Sequence, residues 1–368
     1  MNDEEYMHIA LKLAEKGRGR VSPNPMVGAV IVKDGRIIGE GYHEKYGEQH
    51  AERKAIFSCT QPPSSADLYV NLEPCCHYGR QPPCVDAILE SGIKRVVIGS
   101  ADPNPQVCGN GIRSLRENGV IVTENVLREE CLRLNQIFFH YIKTKQPFVI
   151  MKYAMTMDGK TAAYTGESEW ITGEAARMHV QQQRRHFSAV MVGVGTVIAD
   201  NPMLTCRIDS EKKLVRIICD SWLRTPYDAY VVTSAAQMPT YIATCCNDGD
   251  KQAAYVNAGC RVIVTKQRNG HTDLKELMSI LGSEGIDSVI LEGGGTLNWS
   301  ALESGIVQKI QAYIAPKLLG GRAAPTPADG VGFPTLSDAV MLKNTVITRI
   351  GEDFLIESEV DRNVHGNC

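Results

Sequence analysis

The chain has 368 residues, 43% hydrophobic and 22% charged, with a formal net charge of −3. That length suits two domains, each able to bury its own core, and the charge gives no general attraction to nucleic acid. No window approaches the roughly 18 uninterrupted apolar residues of a membrane span.

The acidic start, residues 1–5, has no apolar run behind it and is not expected to act as a secretory signal. The twelve cysteines are therefore expected to serve as thiols or metal ligands in a reducing, cytoplasmic compartment. Residues 4–16 place Ile9, Ala10 and Leu13 on one face ahead of Gly17, which predicts an amphipathic helix with a glycine C-cap. Residues 27–32 read as a strand, Asp34-Gly35 as a hairpin turn and residues 36–42 as the return strand. A helix over 50–58, a buried strand over 68–72, a cysteine-rich turn over 74–84, a helix over 85–90 and a strand over 95–98 follow. A further helix and strand run up to Val122, and the alternation predicts a layered α/β domain.

Residues 124–141 are predicted as one helical stretch and 143–147 as a polar connection, dividing the chain into domains 1–145 and 146–360. The second series has predicted strands over 148–154, 189–192, 215–219, 262–264, 288–291 and 309–314. Helices fit between them, for example over 174–185 and 273–281, and residues 361–368 read as a frayed tail.

The strongest chemical pattern is His50-Ala51-Glu52 followed by Pro74-Cys75 and then Cys84. One imidazole and two thiolates make a three-ligand zinc set with a fourth position open to water, whose pKa zinc brings toward 7. A carboxylate is then needed to carry protons from water to a leaving nitrogen, and Glu52 is placed for it. This is the signature of zinc nucleobase deaminases, except that eight residues separate the cysteines here instead of two. Cys76 and His77 are alternative ligands. Cys75 is preferred because it directly follows Pro74, and His77 is read as a substrate contact. In the second half, no early strand–GxGxxG–helix unit is present. A strand does run into Glu292-Gly293-Gly294-Gly295 and a helix from about Thr296, so backbone N–H groups could meet a phosphate there.

These motifs occur in order with Pro23-Asn24-Pro25-Met26-Val27-Gly28, Glu73 to Arg80, Asp102-Pro103-Asn104-Pro105, Met157-Asp158-Gly159-Lys160, Asp200-Asn201-Pro202 and residues 315–321. Together they resemble the bifunctional riboflavin-biosynthesis deaminase–reductase family across nearly the whole chain. The resemblance implies a cytidine-deaminase-like three-layer domain followed by a dihydrofolate-reductase-like α/β domain. It implies one Zn2+ held by His50, Cys75 and Cys84, with Glu52 as proton shuttle. Asn24, His77, Arg80, Asp102 and Asn104 would surround a 2,5-diamino-6-ribosylamino-pyrimidinone 5′-phosphate, which loses its 2-amino group. Arg80 stands where lysine is usual in the family, and Cys76 where serine is.

For the second half, the resemblance implies NADPH and hydride delivery to C1′ of the ribosylamino group. Ala154, Trp170, Thr196, Asp200 and residues 293–295 (Gly293, Gly294, Gly295) would lie against the cofactor. Apart from the resemblance, Ser234 is assigned to its adenosine end. Ser168, Arg184, Leu204, Arg207 and Glu292 would lie against the substrate, the two arginines holding its phosphate. Lys152 is a further polar contact and Asp200 a proton relay. The expected partners are a small phosphorylated pyrimidine and other copies of the chain in a homo-oligomer, with no nucleic acid and no membrane. The rival readings are a nucleic-acid base deaminase with a C-terminal RNA-binding module, and a non-enzymatic protein with a structural zinc. The first lacks a long Lys/Arg run, and the second does not need Glu52.

Overall fold

The computed structural model describes residues 1–78, 81–104 and 107–361, and its contacts divide the chain into two units, Met1–Lys145 and Gln146–Cys368. The first unit holds strands β1 (Gly28–Lys33), β2 (Arg36–Tyr42), β3 (Asp67–Leu72), β4 (Arg95–Ser100) and β5 (Ile121–Thr123). Its helices are α1 (Asp3–Glu15), α2 (Ala51–Phe57), α3 (Cys84–Glu90), α4 (Asn110–Glu117), α5 (Arg128–Leu134) and α6 (Gln136–Thr144). The sheet order is β2-β1-β3-β4-β5; β1 runs antiparallel to β2 and β3, and β3, β4 and β5 run parallel.

Strand alternation sends Ala29, Ile31, Leu68, Val70, Val96 and Ile98 to the face covered by α2, α3 and α4. Val30, Val32, Tyr69 and Val97 go to the face covered by Tyr6, Met7, Ala10 and Leu13 of α1. The result is a three-layer sandwich. Asp34 and Gly35 both take positive φ, as a two-residue hairpin turn requires.

Helix α1 opens on a capping box, Asn2 with Glu5. Its C-cap is Lys16 in right-handed conformation, so Gly17 is not the left-handed cap that its position predicts. Gly17 is small for another reason: a Cβ there would meet the His43 carbonyl at 2.5 Å. The stretch over 124–141 is also not one helix. It starts after Leu127 in left-handed conformation and breaks at Asn135, whose amide is used to grip the Met26 backbone on both sides. Asn71 holds the same segment through Gly28 N and Met26 O, and so fixes the loop that carries Asn24.

The second unit contains β6 (Phe148–Thr156), α7 (Glu174–His186), β7 (Ala189–Gly193), α8 (Val194–Asp200), β8 (Val215–Cys219), α9 (Tyr230–Thr233) and β9 (Thr240–Thr244). It continues with α10 (Gly249–Asn257), β10 (Arg261–Val264), the small hairpin β11 (Gln267–Arg268) and β12 (His271–Thr272), and α11 (Leu274–Ser283). It ends with β13 (Ser288–Leu291), α12 (Gly295–Glu303), β14 (Val307–Ala315), β15 (Leu342–Ile350) and β16 (Asp353–Val360). The nine-stranded sheet has the order β10-β9-β8-β7-β13-β6-β14-β16-β15, parallel from β10 to β14 and antiparallel through the last two strands. Strands β9, β15 and β16 were not predicted. β15 is exposed on both faces for nearly all its length, so no apolar/polar alternation marks it.

Insertion of β13 between β6 and β7 makes a switch in strand order, and such switches place ligand crevices at the carboxyl ends of the strands. The 158–160 and 315–321 motifs meet there: Asp158 accepts from Gly320 N at 2.7 Å and Thr156 Oγ1 at 2.6 Å. Lys317 donates to Trp170 O at 2.9 Å and ties down that loop.

One glycine tests the packing of α1 on the first sheet. A Cβ on Gly28 would lie 2.0 Å from Ala10 O and 2.7 Å from Ala14 N, both backbone atoms. Gly28→Ala should cost about 3 kcal/mol in a chemical denaturation experiment. An unchanged midpoint would mean that α1 does not press on β1 as described.

Candidate metal centre and cofactor cavity

His50 is the N-cap of α2, so its ring stands outside the helix, while Glu52 lies in the first turn and is only 3% exposed. Cys75 follows β3 after Glu73-Pro74, and the fully buried Cys84 opens α3. His50 Nδ1 lies 3.5 Å from Cys75 Sγ and 3.4 Å from Cys84 Sγ. Tetrahedral zinc with bonds of about 2.05 Å to nitrogen and 2.3 Å to sulfur would hold such atoms about 3.6 Å apart. Both nitrogen-to-sulfur spacings therefore fit the ion, the three ligand atoms lie within 4.8 Å of one another, and Glu52 stands beside them.

The electrostatics are those of a ligand set. The Cys84 thiol donates to Cys75 and brings its pKa down to about 4 against the opposing effect of burial, helped by His50 and by the Cys84 N–H at 3.3 Å. The same bond, together with burial, pushes the Cys84 thiol up. His50 is raised by its bond to Cys75. One thiolate is thus already formed, and metal binding has to release the proton on Cys84. Burial, reinforced by Cys75, raises the Glu52 pKa, as a proton carrier near neutral pH requires.

A cavity of about 310 Å³ opens onto this centre and is lined by Asn24, His77, Asp102 and Asn104 together with His50, Glu52 and Cys75. Arg80 lies outside the described residues. His43, Tyr46, Gln81 and the α6 residues Phe138 and Tyr141 also line the cavity and were not anticipated. His43 has a definable role. Its Nδ1 faces the Gln49 carbonyl at 3.2 Å, so Nδ1 carries the hydrogen, and burial lowers its pKa, which keeps the ring neutral. Nε2 then accepts from the Asn24 amide at 3.1 Å, which fixes the orientation of Asn24 and leaves its oxygen as an acceptor. His77 Nδ1 is buried without a partner among the described residues, as befits a group that meets a ligand.

Glu73 is the second unanticipated residue. Its buried carboxylate accepts from the backbone N–H of Asp102, Gly109, Gly111 and Ile112 at 3.0–3.2 Å and so holds the loop that carries Asp102 and Asn104. Burial raises the Asp102 pKa to about 6. The available signal for Glu73 was an acid directly preceding the Pro-Cys ligand pair.

In the second unit a cavity of about 440 Å³ lies at the carboxyl ends of β13, β7 and β8, lined by Ser168, Thr196, Asp200, Gly294 and Gly295. Helix α12 begins there with Gly294 as N-cap and no side-chain cap, so its first N–H groups are free to meet an anion. Gly293 does not line the cavity. A Cβ there would meet Asn298 Oδ1 at 2.7 Å, so it serves helix packing. Ala154 packs against the cluster of Ala176, Tyr313 and Leu355. Trp170 is 55% exposed, with the Arg177 guanidinium 4.6 Å from its ring centroid. Burial, with Glu169 nearby, raises the Asp200 pKa.

Two residues ahead of Gly294, Glu292 forms ion pairs with Arg184 at 2.7 Å and Lys152 at 3.6 Å. Burial works against its charge, but Arg184 and Lys152 outweigh it and bring the pKa down to about 2. Arg184 also donates to Thr205 O at 2.9 Å, so its fork is occupied by protein and is not free for phosphate as the sequence implied. Arg207 is exposed, while Leu204 is buried with φ 53°. Ser234 does not reach the cavity. Its hydroxyl donates to Tyr230 O and accepts from the fully buried Arg216 at 2.9 Å. Cys219, Arg224, His271 and Thr272 close that end instead.

The fold and the two sites define a zinc-type deaminase unit followed by a reductase unit. Residues 1–100 match the cytidine and deoxycytidylate deaminase zinc-binding region, and residues 147–356 match the RibD C-terminal domain. Riboflavin biosynthesis protein RibD of Actinobacillus pleuropneumoniae is 55% identical over 357 residues, 97% of this chain and 95% of that protein. That of Escherichia coli is 39% identical, over 97% of this chain and 99% of its own. The crystal structure of a diaminohydroxyphosphoribosylaminopyrimidine deaminase/5-amino-6-(5-phosphoribosylamino)uracil reductase from Thermotoga maritima superposes with a TM-score of 0.84. It is 36% identical and covers 98% of this chain and 99% of its own. The chain belongs to the RibD family of bifunctional deaminase–reductases of riboflavin biosynthesis.

The Glu292 pairs have a pH signature. The folded-state pKa of about 2 lies below the ordinary 4.5, so their contribution is complete above about pH 4.5 and is lost as pH falls toward 2. Glu292→Gln should lack this component and, with two half-buried cations deprived of their carboxylate, lose about 3 kcal/mol at pH 7. Denaturation at pH 7 and pH 3 measures both. An equal acid response in the two proteins would contradict the pairing.

Proposed function

We propose that the first unit hydrolyses the 2-amino group of 2,5-diamino-6-ribosylamino-4(3H)-pyrimidinone 5′-phosphate, and that the second reduces the ribosyl group of the product to a ribityl chain with NADPH. The observation that carries this reading is the set His50, Cys75 and Cys84 at zinc-ligand spacing with Glu52 buried beside it. Zinc, when bound, makes water ionisable near neutral pH. Glu52 takes the proton from water and gives it to the amino nitrogen, which leaves as ammonia while the water oxygen stays on the ring. The Asn24 oxygen and Asp102 accept from ring N–H groups, His77 meets the ring edge, Asn104 borders the same pocket and Arg80 pairs with the phosphate.

NADPH, when bound, supplies the hydride for C1′. Thr196, Gly294, Gly295 and the start of α12 hold the cofactor's phosphates, with Ala154 and Trp170 toward its nicotinamide end. Ser168, Leu204 and the Lys152–Glu292 pair hold the sugar, Arg207 takes the substrate phosphate, and Asp200 relays a proton. The contribution of these residues is to hold donor and acceptor carbons together and exclude water.

We place the chain in the cytoplasm, in a homo-oligomer and without nucleic acid. Every described cysteine is free, in keeping with a reducing compartment, and no helix among the described residues is long and apolar enough to cross a membrane. The outer edge of β15, with Val346 and Ile347 exposed, is of the kind that association covers. An RNA-binding second half finds no support, since that half matches a reductase domain.

A coupled assay on the diaminopyrimidine phosphate tests the reading. Glu52→Gln should keep one zinc per chain, lower ammonia release by roughly 100-fold or more, and still oxidise NADPH with pre-deaminated substrate. Undiminished ammonia release would remove Glu52 from its role, and loss of both activities would contradict two separate sites.

A further inference from the structure

The reductase cavity has Gly294 and Gly295 on one side, and toward β8 two side chains that no sequence motif singled out, Arg224 and His271. They are presented by two segments latched together. Arg224 stands in the turn over 220–225, fixed by the buried Asp220 carboxylate, which accepts from Thr225 N at 2.6 Å and Thr225 Oγ1 at 2.7 Å. Tyr255 OH donates to Thr225 O at 2.6 Å from beneath. His271 stands on β12, whose next residue, Thr272, donates its N–H to Ser221 Oγ at 3.1 Å. Both side chains are exposed, and among the described residues the Arg224 guanidinium has no ion pair or hydrogen bond.

A guanidinium held at a cavity wall by a rigid turn, with no carboxylate to satisfy it, is a seat for a planar or tetrahedral anion. The start of α12 already offers a place for a pyrophosphate. In the strand order β13-β7-β8, Arg224 follows a strand two places away, about 10 Å across the sheet at about 4.8 Å per strand. An arginine side chain reaching back from that strand narrows the span to one that a group on the adenosine ribose can bridge from the pyrophosphate. Cofactor sites that read an unphosphorylated ribose use a carboxylate to accept its hydroxyls. Here the neighbouring acid, Asp220, is consumed by the turn itself, and the residues at this end are Cys219, Arg224, His271 and Thr272.

We propose that Arg224 and His271 bind the phosphomonoester on the adenosine ribose, the group by which NADPH differs from NADH, and thereby set the preference for NADPH. The inference rests on reading this cavity as the NADPH site. The substrate carries a phosphomonoester too, so the test separates the two sources.

Titration calorimetry of the full chain with NADPH, NADH and the phosphorylated pyrimidine, each alone, decides it. Arg224→Ala should weaken NADPH binding about 10- to 100-fold while NADH affinity stays within about two-fold, which also reports an intact fold. Arg224→Lys should recover part of the loss, and His271→Ala should show a smaller loss in the same direction. An unchanged NADPH-to-NADH ratio in Arg224→Ala overturns the proposal, as does weakening of the pyrimidine in place of NADPH. If the unsubstituted chain binds neither dinucleotide, or Gly294→Val leaves both affinities intact, the reading of the cavity itself fails and takes the proposal with it.

Discussion

An imidazole nitrogen in the first unit lies 3.5 Å and 3.4 Å from two sulfurs, although the three come from separate segments of the chain. Their convergence is the constraint around which that unit is arranged. His50 must end its loop as the cap of α2, Cys75 must leave β3 at once, and Cys84 must begin α3. The neighbouring groups serve this geometry. Glu73 binds four backbone N–H groups and holds Asp102, Gly109, Gly111 and Ile112, while Asn71 and Asn135 hold the segment that follows Asn24. Buried polar side chains with this many partners give a loop a single position, which a site that discriminates among nitrogens of one ring requires.

The second unit meets a different demand with the same means. Hydride transfer needs two carbons held together in a dry place and compels no particular acid. The sheet supplies this at the carboxyl ends of β13, β7 and β8, with a glycine turn leading into α12 and a buried carboxylate shared by Arg184 and Lys152. Placing Glu292 between two cations keeps it charged despite burial and holds the Arg184 and Lys152 head groups beside it.

Much of this was legible in the sequence, because the ligands and the carboxylate have no substitutes. An imidazole, two thiolates and a proton carrier are recognisable by residue type and order alone. Strands β1 to β4 of the first sheet were legible because each has at least one buried face. What escaped was set by tertiary contacts. Asn135 breaks a helical pattern because its amide is needed elsewhere, and Gly17 is small because of a carbonyl in a distant segment. β15 has no buried face to impose a period. Arg184 was assigned to a ligand on the strength of resemblance, and Ser234 with no motif behind it. Their partners in the fold, Glu292 and Arg216, lie far away in the sequence or carry no motif. His43, Glu73 and Arg224 act by orienting a neighbour or by being left unpaired, and neither property is written in residue type.

With three protein ligands, the centre keeps one coordination position for water. Zinc-edge X-ray absorption of the purified protein reads this shell. One zinc per chain is expected, with two sulfurs at about 2.3 Å and two nitrogen or oxygen neighbours at about 2.0–2.1 Å, only one of them showing the outer-shell scattering of an imidazole ring. A third sulfur from Cys76, or a closed shell of four protein ligands, would contradict it and leave the first unit with a structural metal.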